Sequence, residues 1–427
     1  MRTMATLPNR WYNILPDLPK PLPPPRDPES FEEYSRIENL PKLFPAELLD
    51  QEISPQRYIE IPDAILEAYK SLGRPTPLIR AKRLEQLLNT PAQIFYKRED
   101  TNPTGSHKPN TALPQAYYAY KENSKYLVTE TGAGQWGSAV ALAASLFGLR
   151  CLVFMTRSSY LQKPYRRYLM SIYGAEVLPS PSGRTKPGSE LLREDPEHPG
   201  SLGIAISEAV ETVLGGEGYR YAVGSVMNFT LIHQSVIGLE AVKQMEEEGL
   251  TPDVVVACVG GGSNFAGIAF PMLGAKLSSG DFRHTRFVAV ESSAAPRMTG
   301  GKYCYEFADT AGIMPMLKMY NVGRGYVPPP VHAAGLRYHG LAPAISLLLR
   351  ERLVEPRAYS QEEAFEAARV FARAEGVLPA PETAHAVRYV IEEAVECRRR
   401  GRGEVILLCL SGHGLLDLQS YGEVLKL

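Results

Sequence analysis

Lys108 stands in the run Gly105-Ser106-His107-Lys108-Pro109-Asn110, directly after the turn-forming residues Asn102-Pro103-Thr104-Gly105. Such residues bend a chain, and Pro109 suits the first position of a helix, where a missing backbone N–H costs nothing. The lysine is therefore expected at a helix mouth, beside a histidine and free N–H groups. An amine held there can form a Schiff base with an aldehyde cofactor whose phosphate sits nearby. Small-residue turns after apolar, strand-like runs supply the partners. Gly260-Gly261-Gly262-Ser263-Asn264 offers glycines, a hydroxyl and an amide at the start of a helix, a site for one compact phosphate. It has neither the G-x-G-x-x-G spacing of a dinucleotide site nor the Lys-Ser/Thr pair of a P-loop. Gly224-Ser225 could add a second hydroxyl beside that phosphate. Thr131-Gly132-Ala133-Gly134-Gln135-Trp136, headed by Glu130, reads as a nest of N–H groups for a substrate carboxylate or as a tight strand–helix turn. Ser411-Gly412, after the apolar run 405–410, places a hydroxyl where it can bond a ring nitrogen or simply close a turn.

Together, a lysine for an aldehyde, nests for a phosphate and for a carboxylate, and a serine for a pyridine nitrogen match one cofactor, pyridoxal 5′-phosphate (PLP). A serine, unlike an aspartate, leaves the pyridine unprotonated. The ring is then a weaker electron sink, and loss of a β-substituent is favoured over transamination and racemisation.

These turns need a scaffold that brings strand ends together. Apolar runs at 94–97, 126–129, 150–155, 254–259, 286–290 and 404–410 read as buried strands, and 138–147, 165–173, 232–248 and 361–375 as amphipathic helices. Their alternation predicts an α/β fold of two open, mostly parallel sheets covered by helices, with ligands outside the carboxyl ends of the strands. The Pro-rich residues 1–74 are expected to be an irregular extension packed on the body, with short helices at 29–39 and 46–52. Residues 75–225 are expected to form one α/β domain with a mobile subdomain, its first part (75–106) crossing to the other domain at 226–427. PLP would lie in the cleft between them. Residues 180–201, with four prolines, read as a long surface insertion or lid.

Composition excludes several classes. Hydrophobic residues make up 44% and charged residues 22%, and the net charge of −1 gives no basic field for nucleic acid or membrane. No apolar run approaches a membrane span, and the N-terminus lacks a signal-peptide pattern. The five scattered cysteines indicate neither a disulfide framework nor a metal site, so a cytoplasmic setting is expected.

The motifs, in this order, resemble the β chain of tryptophan synthase, within the fold-type II PLP enzymes. They are Gly105–Lys108, Glu130–Gln135, Gly260–Asn264, Glu375-Gly376 and Leu410–Gly412. Pro109, Trp136, the segment Arg337-Tyr338-His339 and the insertion look most like the second, divergent class of these chains. The resemblance implies condensation of L-serine with indole to L-tryptophan and water. Lys108 would bind PLP and move the Cα proton. His107, Asn110, Gly224, Ser225, Gly260, Gly261, Gly262, Ser263 and Asn264 would hold the cofactor, with Ser411 and Gly412 at the pyridine and Glu375 near the ring. Thr131, Gly132, Ala133, Gly134, Gln135 and Trp136 would receive the substrate, and Glu130 would assist departure of the β-substituent and contact the indole nitrogen. A homodimer, a monovalent cation and a tryptophan synthase α chain belong to the same expectation. Arg337 stands where an aspartate would contact the serine hydroxyl, and a guanidinium there suits an anionic leaving group such as that of O-phosphoserine. Other readings are a serine or threonine dehydratase, a cysteine or threonine synthase, and a non-catalytic PLP-binding partner.

Overall fold

The computed structural model describes residues 6–27, 37–329 and 331–427. Two sheets organise it. The larger has six strands in the order Glu355–Tyr359, Arg286–Ser292, Val254–Cys258, Val405–Leu410, Gln93–Arg98 and Leu78–Arg80, all parallel except the last, an antiparallel edge. The smaller has four parallel strands in the order Ala175–Ser180, Arg150–Thr156, Tyr126–Thr131 and Tyr219–Tyr221. The α/β fold read from the sequence is therefore the fold found, although the short strands at 78–80, 175–180, 219–221 and 355–359 escaped that reading.

Continuous apolar runs mark strands buried on both faces. In the large sheet the side chains divide by alternation. Val255, Ala257, Leu407 and Cys409 enter one core, while Val254, Val256, Ile406 and Leu408 enter another. The helix Pro381–Arg400 covers the second face, and Ser263–Ser278 covers the first.

Packing adds detail to two expectations. The N-terminal extension, expected to be irregular and packed on the body, contributes a short strand and buried side chains. Arg10–Tyr12 pairs antiparallel with Tyr58–Glu60, and Trp11, Ile14, Phe44 and Leu48 are fully buried in the main core. Trp11 Nε1 donates to the Tyr69 hydroxyl at 3.3 Å, and its ring lies 4.6 Å from that of His233. The helix expected at 46–52 is Ala46–Glu52, whereas most of that expected at 29–39 lies outside the described residues. The insertion at 180–201 holds a helix, Lys186–Glu194, capped by Thr185. Its first turn is anchored on the buried carboxylate of Glu208, which accepts from the Ser180, Ser182 and Thr185 hydroxyls.

Candidate active site

The carboxyl ends of Tyr126–Thr131, Tyr219–Tyr221, Val254–Cys258 and Val405–Leu410 converge on one cavity. Lys108 opens into it from the mouth of the helix Pro109–Lys121, with Pro109 in the first turn as its sequence predicts. Burial lowers the pKa of its amine, and the largest opposing influence is the carboxylate of Glu382. His107 lies alongside. Burial, aided by the Lys108 charge, pushes its imidazole down to about 3, so it is neutral near pH 7. Its Nδ1 lies 3.2 Å from the Ser411 carbonyl and its Nε2 3.5 Å from the Ser263 hydroxyl.

The glycine run forms a cradle that side chains would fill. A Cβ on Gly260 would meet the Gly335 carbonyl oxygen at 2.2 Å, and one on Gly261 the Ser225 hydroxyl at 2.1 Å. At Gly262 the backbone has φ +121°, which favours glycine. The helix Ser263–Ser278 then begins, so its free N–H groups face the cavity with the hydroxyls of Ser225 and Ser263, as an anion requires. Asn264 lines the cavity, but its amide donates to the Cys258 carbonyl and accepts from the Cys409 thiol.

Ser411 lines the same cavity. Its hydroxyl lies 2.6 Å from that of Thr383 and 3.4 Å from the Cys258 sulfur. Another wall is the loop after Tyr126–Thr131. Thr131 Oγ1 accepts from the N–H groups of Gly134 and Gly137, both at 3.1 Å, which holds the loop in shape. Trp136 lies beneath, its Nε1 donating to Thr129 Oγ1 at 2.7 Å. Glu130 is buried, and burial pushes its carboxyl up to about 7 against the Tyr221 hydrogen bond and the Lys108 charge. Its proton is thus exchangeable near neutrality.

Five expected site residues do not reach this cavity. Gly134 lies behind the loop at φ +92°, where a Cβ would strike Arg166 at 2.9 Å. Gly412 contributes backbone only, its carbonyl accepting from the Ala380 N–H at 2.7 Å. Asn110 points away: its Nδ2 donates to Glu99 and Gln234, and its Oδ1 accepts from Arg74. Glu375 ends the helix Gln361–Glu375 and accepts from the Leu84 N–H at 2.8 Å. Arg337 lines an adjoining cavity, which shares Gly132, Leu202, Ala334 and Tyr338 with the first. Its Nη2 donates to the Pro328 carbonyl at 3.3 Å, and among the described residues no carboxylate pairs with it.

The sequence reading missed Glu382, which lines the cavity in the first turn of Pro381–Arg400. It accepts from the Gly335 N–H at 2.9 Å and from Gln135 Nε2 at 3.1 Å. Leu202, Cys258 and Tyr338 were also missed as lining residues. Away from this cleft, Glu393, Cys397 and Glu404 group within 4.8 Å, but Arg286 and Arg400 pair with the two carboxylates.

The family model "Pyridoxal-phosphate dependent enzyme" matches residues 69–412. A tryptophan synthase beta chain of Pyrococcus horikoshii is 58% identical over 98% of this chain and 91% of its own length. Tryptophan synthase beta chain 2 of Pyrococcus abyssi is 59% identical, covering 98% and 94%. The chain belongs to the tryptophan synthase β family of pyridoxal-phosphate-dependent enzymes. Solved structures at lower identity share the fold. A threonine deaminase of T.th. has a TM-score of 0.57 at 24% identity, and a fungal L-serine ammonia-lyase of Rhizomucor miehei has 0.62 at 18%. Each covers 82% of this chain and 97% of its own.

Proposed function

We propose that the chain condenses L-serine with indole to give L-tryptophan and water by PLP-dependent β-replacement. The observation that carries this reading is one cavity lined by the Lys108 amine, a carboxylate poised near neutrality at Glu130, a glycine cradle and the neutral Ser411 hydroxyl. The cradle fits a phosphate because backbone donors and two hydroxyls converge where no side chain could enter. Gly260–Gly262, Ser263, Ser225 and His107 would hold the phosphate, Lys108 the aldehyde carbon and Ser411 the ring nitrogen. When bound, PLP supplies the electron sink that loosens the Cα proton and the β-substituent of an amino acid.

The chain's own groups do the rest. The N–H groups of the loop after Thr131 bind the substrate carboxylate. The Lys108 amine takes and returns the Cα proton, its acidity raised by burial. Protonated Glu130 gives its proton to the departing hydroxyl, and the resulting carboxylate accepts the indole N–H. Leu202, Trp136, Leu336 and Tyr338 give that acceptor an apolar seat and exclude water.

The lobes at 75–225 and 226–427 close on the cofactor, with 75–106 belonging to the second. The working enzyme is a homodimer in the cytoplasm, and a tryptophan synthase α chain and a monovalent cation are further partners to assay. The deciding experiment incubates cofactor-loaded protein with serine, then indole, and measures tryptophan. Borohydride is then added to trap the cofactor for peptide mapping. Tryptophan formation with the adduct on Lys108 is expected. Serine deamination with no tryptophan, or an adduct on another lysine, overturns the reading.

A further inference from the structure

Tyr221 is buried to 1% exposure and lies outside the cavity lining, yet its hydroxyl donates to Glu130 Oε2. The sheet explains the contact. Tyr221 pairs with Val128 in the parallel ladder, so Glu130 stands two residues further along on the same face. That diagonal spacing is within reach of a tyrosine and a glutamate. The phenol ring is fixed from behind by Phe44 of the N-terminal segment, with ring centres 5.6 Å apart, and Phe44 packs in turn on Phe229. Among the described residues, Glu130 Oε1 has no side-chain donor.

We propose that Tyr221 is a positioning residue for the reaction, clamping one oxygen of Glu130 so that the other serves the leaving hydroxyl and then the indole N–H. The inference rests on the role given to Glu130 above. Toward the Glu130 anion the clamp is one-directional. The phenol, buried and beside a carboxylate, keeps its proton far above neutrality and can only donate to the anion. Two titratable groups act directly on Glu130: Tyr221 through its hydrogen bond and Lys108 through its charge. Tyr338 and Asp309 are titratable neighbours of Tyr221, and Tyr338 also faces Glu130. Removing the phenol hydroxyl takes a donor from the anion, so Glu130 should hold its proton to higher pH. The N-terminal segment thereby supports a group in the reaction, through Phe44 and Tyr221, without lining the cavity.

The test compares Tyr221→Phe, Glu130→Gln and the double variant, each loaded with PLP and assayed with serine and indole across pH. Tyr221→Phe keeps the ring that packs on Phe44 and loses only the hydroxyl. It should lower kcat roughly tenfold with little change in KM for serine. The pH limb that Glu130→Gln abolishes should move up by about one unit in Tyr221→Phe. In the Glu130→Gln background the second change should cost nothing further. An unmoved limb, or an equal loss in both backgrounds, makes Tyr221 a packing residue and overturns the inference alone. A Glu130→Gln enzyme of wild-type rate overturns the role of Glu130 and the inference with it.

Discussion

Glu375 and Glu382 stand on either side of a helix end, and that end decides which carboxylate can act. Gly376 closes the first helix in a left-handed conformation, leaving Glu375 facing Leu84. The chain then turns and starts a new helix at Pro381, whose first turn carries Glu382 into the cleft toward Lys108. A carboxylate is favoured at a helix N-terminus. Glu382→Gln should therefore lower the rate of tryptophan formation at least about tenfold, while Glu375→Gln should stay within about twofold of wild type. Steady-state kinetics of the two variants settles it. Lys108, Glu130 and Ser411, singled out in the sequence, all line the cavity because each stands at the end of a regular element, Lys108 at a helix start and Glu130 and Ser411 at strand ends. The sequence reading misassigned Glu375 because the choice between the two glutamates depends on a turn that only the tertiary packing aims. Arg337 is a similar case, since its neighbour along the chain, Tyr338, reaches the cavity and it does not. Its guanidinium, without a carboxylate partner among the described residues and beside the shared wall, should still attract anionic donors. Arg337→Asp should reduce kcat/KM for O-phosphoserine roughly tenfold more than for serine, because a carboxylate there repels a phosphate. Equal losses with the two donors would show that it does not sense the leaving group.

At the scale of elements, the site depends on four strand ends and the turns that follow them. The glycine run shows the tolerance involved. Gly261→Ala would drive a methyl to 2.1 Å from the Ser225 hydroxyl and 2.7 Å from its Cβ, so the loop itself must shift. Binding of PLP, followed by absorbance titration of the apoprotein, should weaken at least about tenfold, as expected when a nest loses its backbone donors. Unchanged affinity would place the phosphate elsewhere. The longer buried strands were legible in the sequence because a short, continuous apolar run bounded by turn residues is what a strand buried on both faces requires. The hairpin Lys302–Phe307 and Met316–Asn321 was not legible, because its residues are only partly buried and its connection is organised by Asp309. The helix Pro381–Arg400 was obscured by the prolines before it, although Pro381 in its first turn is a start signal.

Across the whole molecule, the two sheets are tied by a buried ion cluster. Lys163 and Arg166, from the helix region beside the small sheet, donate to Asp417 at 2.6 and 2.7 Å, just beyond the last strand of the large one. Burial alone would raise the Asp417 carboxyl, but the two cations hold it down to about 2. A carboxylate depressed in the folded state stabilises it fully above its unfolded value near 4, and that contribution fades as pH falls toward 2. Asp417→Asn leaves two buried cations without their partner and should cost roughly 3–5 kcal/mol at neutral pH. Denaturant unfolding of variant and wild type should differ most above about pH 4 and converge toward pH 2. A gap that does not depend on pH would mean that the aspartate acts by packing alone. The N-terminal extension was legible as a Pro-rich segment packed on the body, but its prolines hid how deeply its few large apolar residues enter the core.

The chain contains two tryptophans, and the fold has put them to separate uses. Trp11 is sealed where the N-terminal extension meets the body, and Trp136 lies under the substrate loop at the cavity wall. Each is therefore an intrinsic optical probe of a different event. With Trp11→Phe, the remaining emission should be quenched by the cofactor and respond to ligands. With Trp136→Phe, it should ignore them and change only when the extension leaves the core. Two conservative substitutions would turn an unlabelled enzyme into a pair of reporters, one for occupancy of the cleft and one for integrity of the chain's first segment.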